Sequence, residues 1–544
     1  MSARPTRSVK RGATLVLALV TGAIGLVAPS AASAAPASAK APAPITWSQC
    51  PANELIDVPV ADRPKFSCAN YAVPLDHDKP QLGTINIALM RRVANDQAAR
   101  IGSLFLNPGG PGGSGFYLPT VGGAIFEPQV LDRFDLIGFD PRGVARSTPL
   151  RCFATQEDAD EVFGRMAALP VTAQEEATTL RALKDYGQFC GRFAGPLLEH
   201  MSTKDVARDL DVLRQAVGDA KLNYVGFSYG TLLGATYVNL FPNKTRAIIL
   251  DGNVDPNLRL HDGVEYDRQR TGGFEISLNA FLARCDAVGA ACSFSGGARQ
   301  KYDDLRNHLR NEGPITLPDN TVFDEAALTG TVAGTLYSPQ RLASLADLLQ
   351  ELWSAINPAA RSALTVTGET VRALQGTTQQ GRADILPDTP YSSDDSYLAV
   401  NCSDKPFRNR LSGIPALADK WERQMPDFGR YLAWGDPAAC PIWPVRDPDR
   451  YTGPWNKRTE NPVLVFGNYY DPATQYEFAR RMSRQLGNAR LVSVDSFGHC
   501  ILGDSTCTDR IAADFLINLA IPGPGTVCHP DVQPFPIPSR TRTS

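Results

Sequence analysis

Gly226-Phe227-Ser228-Tyr229-Gly230 stands between an apolar run, Leu222 to Val225, and a helix-like run, Thr231 to Leu240. That order reads as strand, sharp turn, helix. In such a turn the middle Ser is held in a strained conformation with its hydroxyl exposed. Glycines flank it because a Cβ there would collide with the adjoining strand and helix. A chain built around this turn needs a sheet strand ending where chemistry can occur. It also needs a base, an acid and an oxyanion hole supplied by other loops at the same sheet edge.

The flanking sequence supplies the sheet. Ile85 to Arg92, Ile101 to Asn107 and Phe134 to Asp140 read as strands, the last running into Asp140-Pro141-Arg142-Gly143. Thr172 to Phe193 and Thr203 to Ala216 carry helical spacing, and Arg246 to Asp251 reads as a buried strand. Strands alternating with helices predict an α/β fold with a mostly parallel sheet. The alternation stops from Pro256 to Trp455, where helical stretches such as Phe274 to Val288 and Pro339 to Ile356 dominate. It resumes at Pro462 to Gly467 and Arg490 to Val494. The expected organisation is therefore a core over residues 45–255, a helical insertion over 256–455, and the rest of the core over 456–544. Insertions at strand ends usually cover a site.

Of the 544 residues, 43% are hydrophobic and 20% charged, a globular composition. Residues 1–34 have a basic start, an apolar stretch from Ala13 to Val27, and Ala32-Ser33-Ala34. They predict a secretory signal, hence a secreted protein, with 35–44 as a flexible leader. The apolar stretch is short and no Cys lies near the cleavage site, so no stable membrane anchor is expected. Loss of residues 1–34 removes four basic and no acidic residues, taking the net charge from −3 to −7. Nucleic acid is excluded as a partner on that charge. Eleven Cys in an exported chain imply disulfides. Sequence order favours the short loops Cys50–Cys68, Cys152–Cys190, Cys285–Cys292 and Cys402–Cys440, and leaves Cys500, Cys507 and Cys528 open. With no C-x-x-C and six scattered His, no metal site is expected.

A Ser hydroxyl needs a base to become a nucleophile. Asp471 follows the strand ending at Gly467, and His499 follows the strand ending near Val494. The one other His after Asp471, His529, lies in a Pro-rich tail with no strand before it. The expected roles are Ser228 as nucleophile, His499 as base and then acid, and Asp471 as the group that fixes the His tautomer. The Tyr229 backbone N–H should supply one oxyanion donor, and the loop Asn107 to Gly115 the other. That loop also matches a dinucleotide fingerprint, Gly110-x-Gly112-x-x-Gly115. Pro111 removes a backbone donor there and no regular nucleotide-binding half follows, so no cofactor is expected. Arg142 is expected to buttress neighbouring loops together with Asp140, and Cys500 to be packed or paired.

These residues together resemble secreted actinobacterial tripeptidyl aminopeptidases, in the prolyl-aminopeptidase-like branch of the α/β-hydrolases. The resemblance is carried by the leader, Pro-Gly-Gly-Pro-Gly, Asp-Pro-Arg-Gly, Gly-x-Ser-Tyr-Gly, the helical insertion and the Cys-rich C-terminal part. The chain departs from the pattern at Pro108, where many relatives have His, and at Ala145, where Gly is commoner. The resemblance implies an α/β-hydrolase fold with a large, mainly helical cap. It implies Gly110 as the second oxyanion donor, and a Cys507–Cys528 bridge that leaves Cys500 unpaired. It further implies release of tripeptides from peptides or proteins with a free N-terminus. An ammonium group needs carboxylates, and Glu265, Glu275 and Asp404 in the cap are the candidates. Two other readings use the same residues: a secreted carboxylesterase or lipase-like hydrolase, and an inactive α/β-hydrolase that only binds. The intact Ser228, Asp471, His499 set disfavours the last.

Overall fold

The computed structural model describes residues 42–357, 365–375, 391 and 395–535. The expected signal, 1–34, and most of the leader lie outside the described residues. Among the described residues twelve strands are formed: β1 (Ser48–Gln49), β2 (Phe66–Pro74), β3 (Thr84–Arg92), β4 (Gly102–Asn107), β5 (Phe134–Phe139), β6 (Leu222–Phe227), β7 (Thr245–Asp251), β8 (Ile315–Thr316), β9 (Val322–Phe323), β10 (Val463–Tyr470), β11 (Ala489–Phe497) and β12 (Val527–Cys528). Ten of them make one sheet in the order β1-β2-β3-β5-β4-β6-β7-β10-β11-β12. β1, β2 and β3 pair antiparallel, and β3 pairs antiparallel with β5. From β5 to β12 every pairing is parallel.

The central strands are apolar because both faces are covered. Every residue of β4, β5 and β6 is buried. Side chains alternate between the two faces. On β6, Leu222 and Tyr224 join a core with Leu210, Leu213, Leu232 and Leu233 from the helices Thr203–Ala216 and Gly230–Leu240. Val225 and Phe227 join the opposite core, with Leu104, Ile249, Phe515 and Leu516.

The insertion lies between β7 and β10, and its helices include Gly263–Val288, Ala298–Asn311, Glu325–Thr335 and Leu342–Ile356. It has its own apolar core, including Phe281, Leu305, Leu345 and Leu349. Its only paired strands among the described residues are the short hairpin β8–β9. The fold is therefore an α/β-hydrolase sheet, mostly parallel, with a large helical cap. A second excursion leaves the sheet between β5 and the helix Thr203–Ala216. Its main helix, Ala173–Phe193, begins at a capping box of Thr172 and Glu175.

Disulfides join Cys50–Cys68, Cys152–Cys190, Cys285–Cys292, Cys402–Cys440 and Cys507–Cys528, and Cys500 is free. No helix among the described residues is long and apolar enough to cross a membrane.

Arg142 is buried and structural, but its partner is not Asp140. Its Nε and Nη2 grip both oxygens of Asp209 at 2.8 and 2.7 Å, and it donates to the carbonyls of Pro74, Leu75 and His200. Asp140 instead accepts from Ser114 Oγ and from the N–H of Phe116 and Arg146. A bidentate pair at this depth stabilises only while both charges are present. Asp209→Ala strands a guanidinium that is 0% exposed. It should lower the unfolding free energy by about 3–5 kcal/mol, read as a shift in urea midpoint. A midpoint unchanged from the wild type would refute this account of Arg142.

Candidate active site

The elbow is built by close backbone packing. Ser228 has φ +54°, the left-handed region a non-glycine residue enters only when held there. Its N–H donates to Asp251 O at 2.8 Å, and its carbonyl accepts from Thr231 N at 2.9 Å. A Cβ on Gly226 would lie 2.4 Å from Gly230 O. The Gly-rich loop packs on the same turn. Gly109 has φ +92°, and a Cβ there would lie 2.4 Å from Phe227 O and 2.9 Å from both Ser228 Cβ and Tyr229 N. Gly110 follows, and it lines the same cavity as Ser228 and Tyr229.

His499 and Asp471 meet in the loops after β11 and β10. His499 Nδ1 lies 2.9 and 3.0 Å from the two Asp471 oxygens. Asp471 also accepts from the N–H of Ala473 and Thr474 and from Thr474 Oγ1. With the other neighbours donating to it, the Asp471 carboxylate accepts from Nδ1–H, which selects the tautomer whose Nε2 carries no proton. Asn468 Nδ2 donates to the carbonyls of Gly498 and Cys500, fixing the turn that carries the His. The cap touches this turn too: His499 N–H donates to Tyr337 O at 2.9 Å, and the Tyr337 ring meets the imidazole edge-on.

Asp251 joins the two halves. Its carbonyl takes the Ser228 N–H, and its Oδ2 accepts from Ile501 N and Leu502 N at 2.9 and 3.0 Å. Burial pushes its carboxyl up to about 6. Cys500 packs here, its Sγ 3.4 Å from Asp251 O. Burial, then the Asp251 and Asp471 carboxylates, push its thiol well above the ordinary range, so it is no thiolate nucleophile.

Ser228, His499 and Gly110 open into a cavity of about 790 Å³ roofed by the cap. The three proposed amine-binding carboxylates do not line it. Glu265 lies in the first turn of its helix, which Asp262 caps, and its carboxylate accepts from Arg268 and Gln269. Glu275 accepts from the N–H of Asp427 and Phe428. Asp404 is spent on Thr203 N and Oγ1. The carboxylates that do line the cavity are Asp267, Asp395 and Asp436. Helical phase gave a usable signal for one of them. Asp267, Arg270 and Phe274 fall at i, i+3 and i+7, one face of a helix, and all three line the cavity. Glu265 is two residues out of phase. Nothing local marks Asp436, whose partner Lys405 is distant in sequence.

Residues 102–282 match the family described as alpha/beta hydrolase fold, and residues 424–528 the one described as TAP-like protein. The chain is 32% identical over 535 residues to "Serine protease Hip1" of Mycobacterium tuberculosis (strain ATCC 25618 / H37Rv), covering 95% of this chain and 96% of the relative. It is 32% identical over 554 residues to "Carboxylesterase B" of the same strain, covering 97% and 100%. It is 28% identical over 577 residues to "Tripeptidyl aminopeptidase" of Streptomyces lividans, covering 98% of each.

Two outcomes follow from this geometry. Gly109→Ala pushes a methyl into the elbow, and a displacement of that kind near a nucleophile costs about 10²-fold. Labelling of Ser228 by a fluorophosphonate should slow by that factor while the fold survives by circular dichroism. Unchanged labelling would contradict the packing. The second concerns Glu275, whose carboxyl burial and then Asp427 push up to about 8. The folded state therefore holds a proton that the unfolded state has lost, so stability is highest below the ordinary Glu range and falls as pH climbs towards about 8. Glu275→Gln keeps the backbone acceptor and should flatten the melting temperature between pH 5 and pH 8. An equal pH slope in both proteins would refute it.

Proposed function

The chain belongs to the actinobacterial α/β-hydrolase family of serine hydrolases, and from that membership we propose that it is a secreted exopeptidase. In this reading it releases tripeptides from the free N-termini of peptides and proteins.

The observation that carries the reading is the convergence of Ser228, the His499–Asp471 pair and the Gly110 loop on a cavity roofed by the cap. His499 Nε2 takes the Ser228 proton as Oγ attacks the scissile carbonyl. The Asp471 carboxylate stabilises the imidazolium that forms. The backbone N–H groups of Tyr229 and Gly110 hold the developing oxyanion, each worth roughly 3 kcal/mol of barrier. The imidazolium then protonates the leaving amine, and water activated by the same His releases the acyl group. The chain's own residues supply every step.

A roofed cavity of about 790 Å³ suits the end of a peptide rather than its middle. The substrate ammonium goes to the cavity carboxylates Asp267, Asp395 or Asp436 rather than to Glu265, Glu275 or Asp404. Relatives named as a serine protease and a tripeptidyl aminopeptidase support peptide chemistry. The relative named Carboxylesterase B, as similar as the protease, keeps a simple ester as the second reading.

Three substrates separate the readings: a fluorogenic tripeptide amide, its N-acetyl form and a short acyl ester. The free amide should exceed the acetylated one in kcat/KM by about 10-fold or more. Equal rates, or turnover of the ester alone, would overturn the exopeptidase reading. Asp471→Asn should lower kcat about 10⁴-fold by favouring the wrong His tautomer, and Ser228→Ala should abolish turnover. Activity retained by Ser228→Ala would overturn the mechanism.

A further inference from the structure

A second, smaller chamber of about 50 Å³ opens beside the nucleophile, and Gly110, Ser228 and Tyr229 form part of its wall. At roughly 10–15 Å³ per water, it admits about three or four water-sized groups, the bulk of a short side chain's head. Three cations, Arg259, Arg270 and Lys405, line it among neutral side chains such as Tyr266, Tyr397 and Asn401.

The partners of these cations differ. Lys405 Nζ is saturated by Asp267, at 2.9 and 3.1 Å, and by Asp436. Arg259 is 4% exposed and sits over the rings of Tyr229 and Tyr266. Its Nη2 donates to Asn401 Oδ1, while its Nε and the Asn401 Nδ2 have no acceptor. Arg270 lies over the Phe274 ring. Among the described residues, neither Arg259 nor Arg270 has a carboxylate within 4.0 Å. Asp404, behind Arg259, tempers the charge from outside the chamber while its oxygens serve Thr203. With Asp404 counted, three acids and three bases balance around the chamber, but the Arg259 Nε and Asn401 Nδ2 in its wall still face no acceptor. A buried donor left unmet is costly, and fork-shaped donors match a carboxylate.

We infer that this chamber is a specificity pocket for an acidic substrate side chain, Asp or Glu, on the residue whose carbonyl Ser228 attacks, with Arg259 and Arg270 as its readers. The position follows from the shared wall. A side chain lodged in a chamber that borders Ser228 belongs to the residue whose carbonyl is attacked. The inference rests on the acyl-transfer reading of Ser228.

The test uses tripeptide amides identical except for Glu, Asp, Gln, Ala or Lys at the cleaved carbonyl. Wild type should prefer Glu or Asp over Gln in kcat/KM by about 10-fold or more. Arg259→Gln and, separately, Arg270→Gln should bring the Glu-to-Gln ratio toward one, and Arg259→Lys should keep part of it. A wild-type preference for Gln, Ala or Lys would overturn the proposal, as would Glu preference intact in both Gln variants. Because the wild-type ratio is read first, an unfolded variant does not rescue a failed prediction. If no amide is cleaved, the exopeptidase reading fails by itself. The pocket is then read with the mono-p-nitrophenyl ester of glutaric acid against p-nitrophenyl valerate. Faster turnover of the anionic ester supports the pocket, and equal or slower turnover overturns it.

Discussion

The parallel pairing of β7 with β10 is the constraint on which the site depends. It sets Ile249, Leu250 and Asp251 beside Leu464, Val465 and Phe466, although the whole cap lies between them in sequence. Asn253 Nδ2 donates to both Leu250 O and Phe466 O, tying the two strand ends together. From that junction Asp251 reaches both ways, to the Ser228 N–H through its carbonyl and to Ile501 and Leu502 through its carboxylate. The nucleophile turn and the turn carrying His499 are thus referred to one residue. A buried carboxylate that accepts backbone N–H groups is a stiff reference point, because leaving those donors unmet is expensive.

The cap adds what the sheet lacks. In the proposed mechanism the strand ends supply the nucleophile, the base and the oxyanion donors, a constellation that serves amides and esters alike. Shape and charge around it come from helices that start after β7. The helix Gly263–Val288 places Asp267, Arg270 and Phe274 on one face of the cavity. The hydrogen bond from His499 N–H to Tyr337 O and the edge-on Tyr337 ring mean that the cap also steadies the turn it covers. Cap position and the geometry of His499 are therefore coupled through Tyr337.

Much of this was legible in the sequence, for physical reasons. Strands β4, β5 and β6 are buried on both faces and read as apolar runs, and the elbow glycines mark a turn that tolerates no Cβ. The paired cysteines of the short loops are near neighbours in sequence. β2 was not legible: it is half-exposed along most of Phe66–Pro74 and offers no clean alternation. Arg142 announced itself as structural, but its partner Asp209 lies on a helix far along the chain, beyond what a local pattern can reveal. The cap charges could not be placed from sequence, because an acidic residue on a helix has the same sequence signature whether it faces water or a cavity. Glu265, Glu275 and Asp404 were expected at the cavity. Asp267, Asp395 and Asp436 are there instead, because helical phase and tertiary packing decide the matter.

The five disulfides span separations of 7 to 38 residues. Each can close soon after its own segment is delivered, with no need to wait for distant sequence. Hydrolytic competence follows a different timetable. Ser228 emerges early, but Asp471 and His499 come only after the entire cap, and β10 must then find β7. Under the proposed mechanism, a chain made only in part is covalently stapled before the proposed nucleophile has anything to take its proton. The order of residues along the chain thus puts the covalent staples ahead of the chemistry.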